Sequence, residues 1–393
     1  MIYKTVNGGI HRLLQPVSHE VRNAMELVVR KSDLLRELQL FQGIVERTNT
    51  IPVLANVLME AEGDELRFLA TDLQVALRSK CPASVAKGGR LTLPAKKLFE
   101  IIRVLPDTEV RIEQDKSGVK VAADRFDSRM QTMPADDFPS LPRSSGESTL
   151  SLPAKRLGEM IARTQFATTS DDTRYFLNGV LLVAGAGQFA LVATDGHRLS
   201  LVQSTLEGDG PAEEIRVILP KKTVSELGRL LLEIDGDIQY ERQDNHLFFK
   251  VGDRVLISRM IEAQFPAYER VVPKGNDKSV EFERERLANA LKRVALLSPE
   301  RSRAVKFSIE EGKVEVSSSS PEFGEAKETI LVDEYAGKPL SIGFNGQYVL
   351  QFLDVVGTDK VVLELKDEVS QAVMKPVGAE GYDYTYVLMP MRF

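Results

Sequence analysis

The chain repeats one pattern three times with a period of about 125 residues, and this repeat limits its possible folds more than any other feature. The sequence LATDLQVAL at 69–77 returns as LVATDGHRL at 191–199, with the same apolar–Thr–Asp phrase. A period of this length far exceeds the units of solenoid proteins, so each copy should fold as a domain and not as one layer of a stack. The sequence therefore predicts three tandem domains of one architecture.

Longer stretches extend the match between the first two copies. RLTLPAKKLFEIIRVLPDTEVRI at 90–112 corresponds to RVILPKKTVSELGRLLLEIDGDIQY at 216–240. Residues 125–142 and 254–273 both contain Ser-Arg-Met followed by Phe-Pro. The third copy is fainter but keeps the same order of elements.

From this register we predict the domain boundaries. They are a leader at 1–24 that lies outside the fold, and domains at 25–146, 147–274 and 275–393.

Each copy combines helical and strand periodicity. The first helix is marked by an apolar stripe at helical spacing, formed by Leu34, Leu35, Leu38, Phe41 and Val45. Prolines stand where other helices should begin, since a missing N–H costs nothing there: Pro94, Pro153 and Pro220. Stretches such as GDELRFLA alternate with the two-residue period of a half-covered sheet. We therefore predict an α+β fold, with helices backed by antiparallel sheets in each copy.

The cellular setting follows from what the sequence lacks. No run of about 18 apolar residues is present, so we expect no membrane partner. The amino terminus has no continuous apolar segment of the kind that secretory signals need. The single cysteine, Cys81, rules out an internal disulfide and is expected to be a buried thiol in a reducing compartment. A cytoplasmic location is expected.

The distribution of charge indicates contact with nucleic acid. The whole chain has a net charge of −6, yet four predicted helices carry more Lys and Arg than Asp and Glu: 95–105, 154–166, 221–233 and 284–297. For any one helix, a solvated charged face is an alternative explanation. Arranged around an axis, however, these helices would present a basic surface that binds duplex DNA without reading its sequence. The absence of Trp and of known base-reading motifs favours this sequence-independent contact.

Catalytic motifs are not found. There is no phosphate-binding G-x-x-x-x-G-K-[ST] loop, no nucleophile elbow, and the four histidines and one cysteine form no zinc set. We therefore predict no catalytic residues, no metal and no cofactor. Two alternatives stay open at this point. One is a metal-dependent phosphoesterase that uses Asp171, Asp172 and Asp195, and the other is a protein-interaction scaffold without a DNA role.

Four motifs together resemble one family. They are RYFLNG at 174–179, ATDGHRL at 193–199, QFPAYERVVP at 264–273 and VLMPMRF at 387–393. From Met25 to Phe393 the chain resembles the bacterial sliding clamps, the beta subunits of DNA polymerase III. The resemblance implies a head-to-tail homodimeric ring of three clamp domains per chain, with helices inside and sheets outside.

The resemblance also implies a function and its partners. The ring would encircle duplex DNA and act as a non-catalytic processivity factor of DNA polymerase III holoenzyme. Short peptides from the polymerase III core, the clamp loader, other polymerases and repair proteins would bind a hydrophobic pocket between the second and third domains.

Site residues are carried over from the family position by position. In the second domain the peptide pocket would comprise Leu177, Thr194, Gly196, His197, Arg198, Leu199, Pro266, Arg270 and Val271. The third domain would add Asn345, Tyr348, Val369, Val387, Leu388, Met389, Pro390, Met391 and Arg392. DNA-facing positions would be Arg174, Tyr175, Lys221 and Lys222.

This resemblance suggests why the Thr-Asp phrase occurs twice. In both copies the Thr and Asp side chains should hydrogen-bond nearby backbone and set a turn. In the middle copy the turn would also serve binding. Gly196 would allow close backbone approach, and arginines at the pocket rim would meet the polar end of a peptide. Methionines are flexible, which suits a pocket with many partners.

Overall fold

A computed structural model describes residues 24–46, 50–206, 210–211, 213–333, 335 and 337–392. Except for residue 24, the predicted leader lies outside the described residues. Among the described residues the chain forms helices packed on antiparallel sheets, and the predicted α+β fold with three similar units is confirmed.

The first unit contains two helices and nine strands. In chain order these are β1 (Glu26–Arg30), α1 (Lys31–Phe41), β2 (Asn56–Glu62), β3 (Glu65–Thr71), β4 (Val75–Pro82), β5 (Ser84–Lys87), β6 (Gly89–Pro94), α2 (Ala95–Val104), β7 (Glu109–Asp115), β8 (Gly118–Ala123) and β9 (Phe126–Met130).

The second unit repeats this order without a counterpart of the short β5. Its elements are β10 (Leu150–Pro153), α3 (Ala154–Thr164), β11 (Gly179–Gly185), β12 (Gln188–Thr194), β13 (Arg198–Thr205), β14 (Ile215–Pro220), α4 (Lys221–Leu231), β15 (Asp237–Gln243), β16 (His246–Val251) and β17 (Arg254–Arg259).

The third unit has the same order as the second. Its elements are β18 (Lys278–Glu283), α5 (Arg284–Val294), β19 (Ala304–Glu310), β20 (Lys313–Ser320), β21 (Gly324–Leu331), β22 (Leu340–Asn345), α6 (Gly346–Val355), β23 (Lys360–Leu365), β24 (Ala372–Pro376) and β25 (Asp383–Leu388).

The two helices of each unit contact each other and pack on strands of the same unit. The predicted stripe on α1 is buried at Leu34, Leu38 and Phe41, whereas Leu35 is only partly buried. The helix ends at Phe41, so Val45 lies beyond it, although its side chain is also buried. The three prolines end strands β6, β10 and β14, and each is the residue immediately before a helix. Cys81 is buried, and burial raises the pKa of its thiol to about 12, which removes it as a nucleophile at neutral pH.

Sheets continue from one unit into the next. Strand β17 of the second unit pairs antiparallel with β4 of the first, and β25 of the third pairs antiparallel with β13 of the second. Two sheets of eight strands result. On the helical side α1 contacts α4 and α3 contacts α6, so helices also meet at both junctions.

Strands β9 and β21 are left at sheet edges. Within the part of the chain that the structure describes, β9 pairs only with β8 and β21 pairs only with β20. No helix among the described residues is long and apolar enough to cross a bilayer.

Candidate functional site

The two Thr-Asp turns have the same internal hydrogen bonds. Asp72 Oδ1 accepts from the backbone N–H groups of Gln74 and Val75 at 2.9 and 2.7 Å, and the Thr71 hydroxyl donates to the Val75 carbonyl at 3.0 Å. This confirms that the phrase builds a turn through side-chain to backbone bonds.

The turn of the middle copy repeats these bonds with different neighbours. Asp195 Oδ1 accepts from the backbone N–H groups of His197 and Arg198 at 3.0 and 3.1 Å, and the Thr194 hydroxyl donates to the Arg198 carbonyl. The residue after the aspartate has positive φ in both turns, at 76° for Leu73 and 88° for Gly196. Glycine adopts this conformation without the strain that leucine bears there.

A cavity of about 140 Å³ opens beside the middle-copy turn. It lies between that turn, the segment that follows β17, and the end of β25. Its lining is mostly apolar and consists of Leu177, Thr194, Gly196, Arg198, Leu199, Pro266, Tyr268, Val271, Val387 and Met389. We call it the turn pocket.

The structure thus brings together a large part of the predicted peptide site in one cavity. Every lining residue except Tyr268 was among the predicted site residues. Tyr268 was missed, although the motif QFPAYERVVP contains it between Pro266 and Arg270. Its ring is buried, and burial raises the pKa of its hydroxyl. A tyrosine between two predicted lining positions was the available signal.

The other predicted residues lie around the pocket and not in its lining. His197 and Arg270 are exposed beside it, and the His197 carbonyl accepts from the Met389 backbone N–H at 3.0 Å. Asn345 caps α6 by accepting from the Gln347 backbone N–H at 3.0 Å.

The remaining predicted site residues of the third unit differ in burial and in their contacts. Leu388 is buried in β25, and the Met391 backbone N–H donates to the Gly343 carbonyl of β22 at 2.8 Å. Pro390 and Arg392 belong to the same carboxyl-terminal segment, as a half-buried and an exposed residue. Val369 is 74% exposed in the turn before β24 and is not among the residues that line the turn pocket.

Arg198 does not lie at the rim as predicted, because its side chain is 6% exposed. The guanidinium pairs with Asp195 at 3.1 Å and donates to the Phe166 carbonyl at 2.6 Å. The Tyr348 ring lies under it, with its centroid 4.2 Å from Cζ, and burial raises the pKa of the Tyr348 hydroxyl. The Arg198 charge is therefore paired inside the protein, whereas the other two predicted pocket arginines, Arg270 and Arg392, are exposed.

The four predicted DNA-facing residues fall into two groups. Tyr175 is 53% exposed, and Lys221 is exposed with its amine 3.1 Å from the Ser170 hydroxyl. Arg174 instead contacts the turn, since it donates to the Asp195 carbonyl at 2.8 Å and pairs with Asp171 at 3.1 Å.

Lys222 lies at the junction of the first and second units. Its amine donates to the Ile44 carbonyl at 3.0 Å and pairs with the carboxylate of Asp72, whose side chain is 6% exposed. Glu46 lies 3.4 Å from the same amine. The second oxygen of the first-copy aspartate therefore binds a cation of the next unit, whereas that of Asp195 binds Arg198 of its own turn.

We therefore predict that replacing Lys222 destabilises the protein more than replacing its neighbour Lys221. Lys222→Met should lower the free energy of unfolding by about 2 kcal/mol, because it leaves a buried carboxylate without its cation. Lys221→Met is the matched control and should change it by less than about 0.5 kcal/mol. Urea denaturation of both variants measures the difference. Equal destabilisation would contradict the assignment of Lys222 to the junction.

The alternative of a metal-dependent phosphoesterase finds no support. Hydrogen bonds from Thr173 and Arg174 hold the pKa of Asp171 below its usual value, and Asp195 is bound to Arg198. Among the described residues there is no group of three or more His, Cys, Asp or Glu side chains that could hold a metal ion.

Family models cover almost all of the described chain. The DNA polymerase III beta subunit N-terminal domain matches residues 25–142, the central domain matches 151–267, and the C-terminal domain matches 269–392. A beta sliding clamp from Pseudomonas aeruginosa is 39% identical over 373 residues, which cover 94% of this chain and 100% of that protein.

Solved structures agree with the sequence comparison. A sliding clamp (DNA polymerase III subunit beta) from Pseudomonas aeruginosa, bound to griselimycin, has a TM-score of 0.89 and 37% identity, over 94% of this chain and 100% of that one. One from Bartonella birtlesii, also bound to griselimycin, has a TM-score of 0.87 and 35% identity over the same shares. The chain therefore belongs to the DNA polymerase III beta subunit family, the beta sliding clamps.

Proposed function

We propose that two copies of this chain associate head to tail into a closed ring around duplex DNA, and that the turn pocket of each copy holds the replicative polymerase through a short peptide. The clamp performs no chemistry of its own, since polymerase activity belongs to the holoenzyme of which it is a subunit. We place its domains at 25–146, 147–274 and 275–393, with a leader before them, and the protein in the cytoplasm.

The main support for a ring comes from two strands at sheet edges. Both junctions within the chain join the third strand after the first helix of one unit, β4 or β13, to the last strand of the next unit, β17 or β25. The corresponding strands left over are β21 and β9, which both lie at sheet edges. A third junction of the same kind would join β21 of one copy to β9 of another. Such heterologous contacts form a ring when the rotation closes.

Exposed apolar side chains support the same junction. Val104 is the tenth residue of α2 and is 76% exposed, whereas Leu230, the tenth residue of α4, is 2% exposed, and α4 is the helix that contacts α1. Leu296 follows α5 and is 78% exposed, whereas the matching Gly43 after α1 faces Glu226 and Arg229 of α4. Val104 and Leu296 are therefore exposed at positions whose counterparts in the repeat are covered at or near the internal junction.

The turn pocket fits a short apolar peptide segment. Its lining is mainly aliphatic, with a buried tyrosine and a methionine that is 39% exposed. Flexible methionine suits different partners at one site. The griselimycin bound to the two solved relatives makes this compound a suitable probe of the pocket here.

Binding to DNA would rely on weak contacts. Many Lys and Arg side chains of α2 to α5 are exposed, but several are paired, as in Lys97 with Glu100 and Arg293 with Glu328. A closed ring cannot leave DNA sideways, so few phosphate contacts are enough and sliding stays easy. Tethering raises the effective concentration of polymerase at the primer end, and each release is followed by rebinding.

Retention on circular DNA tests the ring. The protein would be loaded onto nicked circular duplex by the cognate clamp loader and separated from free protein by gel filtration. We expect co-elution with the circle and release when a restriction enzyme linearises it. Equal retention on circular and linear DNA would contradict encirclement.

Lys221 is the cation we assign to phosphate contact. Lys221→Glu should weaken equilibrium binding to a short linear duplex and reduce the slope of log affinity against log salt by about one for each phosphate that is no longer neutralised. Fluorescence anisotropy over a salt series measures both. Glu285→Lys, a change of charge in the opposite direction at an exposed helix position, should not weaken binding. An unchanged slope in Lys221→Glu would exclude this lysine as a phosphate contact.

A further inference from the structure

The guanidinium of Arg198 is held by groups from two different units. In the second unit it donates hydrogen bonds to the Asp195 carboxylate and to the Phe166 carbonyl. From the third unit, Gln351 Oε1 accepts from Nη1, and the Tyr386 hydroxyl lies 3.3 Å from the same nitrogen. This side chain thus lines the turn pocket and also bonds to residues on both sides of the junction between the second and third units.

Gln351 differs from the other partners in its position. It lies on α6, does not line the turn pocket, and its side chain has one described hydrogen bond, the one to Arg198. The Tyr386 hydroxyl already donates to the Tyr348 carbonyl at 3.0 Å. Nη1 therefore has two third-unit acceptors, and Gln351 is the one whose side chain has no other described hydrogen bond.

Two aromatic rings lie close to the Arg198 guanidinium and limit where it could find another hydrogen-bond acceptor. The Phe166 and Tyr348 rings lie with their centroids 5.1 and 4.2 Å from Arg198 Cζ, and the Arg198 side chain itself is only 6% exposed. A buried N–H without an acceptor is costly, so loss of the Gln351 oxygen should move the guanidinium. The Arg198 backbone ends the pocket turn, and Arg198 is the strand-pairing partner of Leu388 of β25. A shift of this side chain would therefore act on the turn.

We propose that Gln351 is a positioning residue of the turn pocket: by fixing Arg198 from the third unit, it makes ligand affinity depend on the junction between the second and third units. This inference rests on the proposed peptide site. It requires that ligand binding in the pocket and the packing of α6 influence each other, since coupling between two sites is reciprocal. Gln351 itself does not line the turn pocket.

The first test measures griselimycin binding to the full chain by surface plasmon resonance. Gln351→Met removes the acceptor at similar volume and should raise the dissociation constant about 10-fold, mainly through a faster dissociation rate. Gln351→Glu restores an acceptor and should stay within about 2-fold of the wild type. Gln347→Met is the matched control on the exposed side of α6 and should also bind normally.

The outcomes separate this proposal from the one on which it rests. If the wild type binds no griselimycin, the proposed pocket function fails. If the wild type binds and Gln351→Met binds equally well, or Gln351→Glu loses as much as Gln351→Met, the positioning role is wrong.

A second measurement covers the case in which Gln351→Met does not fold. In the wild type, griselimycin should slow amide hydrogen exchange within 349–353 of α6, because ligand and junction stabilise each other. Unchanged exchange there, together with slowed exchange in the pocket turn, would overturn the coupling.

Discussion

Replacing Val104 by aspartate should convert a two-copy assembly into single chains. The side chain is exposed in one copy, whereas its counterpart Leu230 is buried on α4, the helix that contacts α1 at the internal junction. In the ring, Val104 would be buried against the α5 side of the other copy. An unpaired carboxylate there costs several kcal/mol, and about 3 kcal/mol corresponds to more than a 100-fold increase in the dissociation constant of the dimer.

Sedimentation velocity over a dilution series measures this change. Leu296→Asp should act in the same way from the opposite face, since Leu296 follows α5. Leu232→Asp is the matched control: Leu232 is 85% exposed at the end of α4 but is at neither free edge, so dimers should persist. Dimers of normal stability in Val104→Asp would refute the proposed junction.

Ending the chain at Leu388 should abolish processive DNA synthesis while leaving the dimer intact. Met389 forms one wall of the turn pocket, and the segment after it is attached to β22 through Met391. Without this wall the pocket is open on one side, and polymerase affinity should fall at least about 30-fold. Product length in primer extension on a singly primed circle, with the cognate polymerase and clamp loader, measures the loss.

An exposed residue of the third unit, Val369, provides the control for this prediction. The family resemblance assigns Val369 to the pocket, but the structure places it 74% exposed and outside the lining. Val369→Ser should therefore support full-length products. Short products from Val369→Ser, or full-length products from the truncated chain, would mean that the pocket has been assigned to the wrong surface.

Local patterns in the sequence predicted the repeated architecture well. The Thr-Asp phrase could be interpreted correctly because its hydrogen bonds reach only a few residues along the chain. Helix starts after proline and the apolar stripe of α1 depend on equally local rules.

Contacts between units could not be predicted in the same way. Lys222 looks like Lys221 in the sequence, yet only Lys222 meets Asp72, which lies 150 positions earlier. Arg198 was expected at a rim because nothing near it in sequence indicates Gln351 or Tyr386. The burial of a charged side chain depends on partners brought by other units, and a repeat pattern does not specify them.

The most direct test of the central claim is a cryo-electron microscopy map of the protein in solution. The account predicts a closed ring of two copies and six units, with β21 of each copy paired to β9 of the other and the helices lining the hole. An open arrangement of units, two copies joined through other strands, or a hole lined by sheets would contradict it.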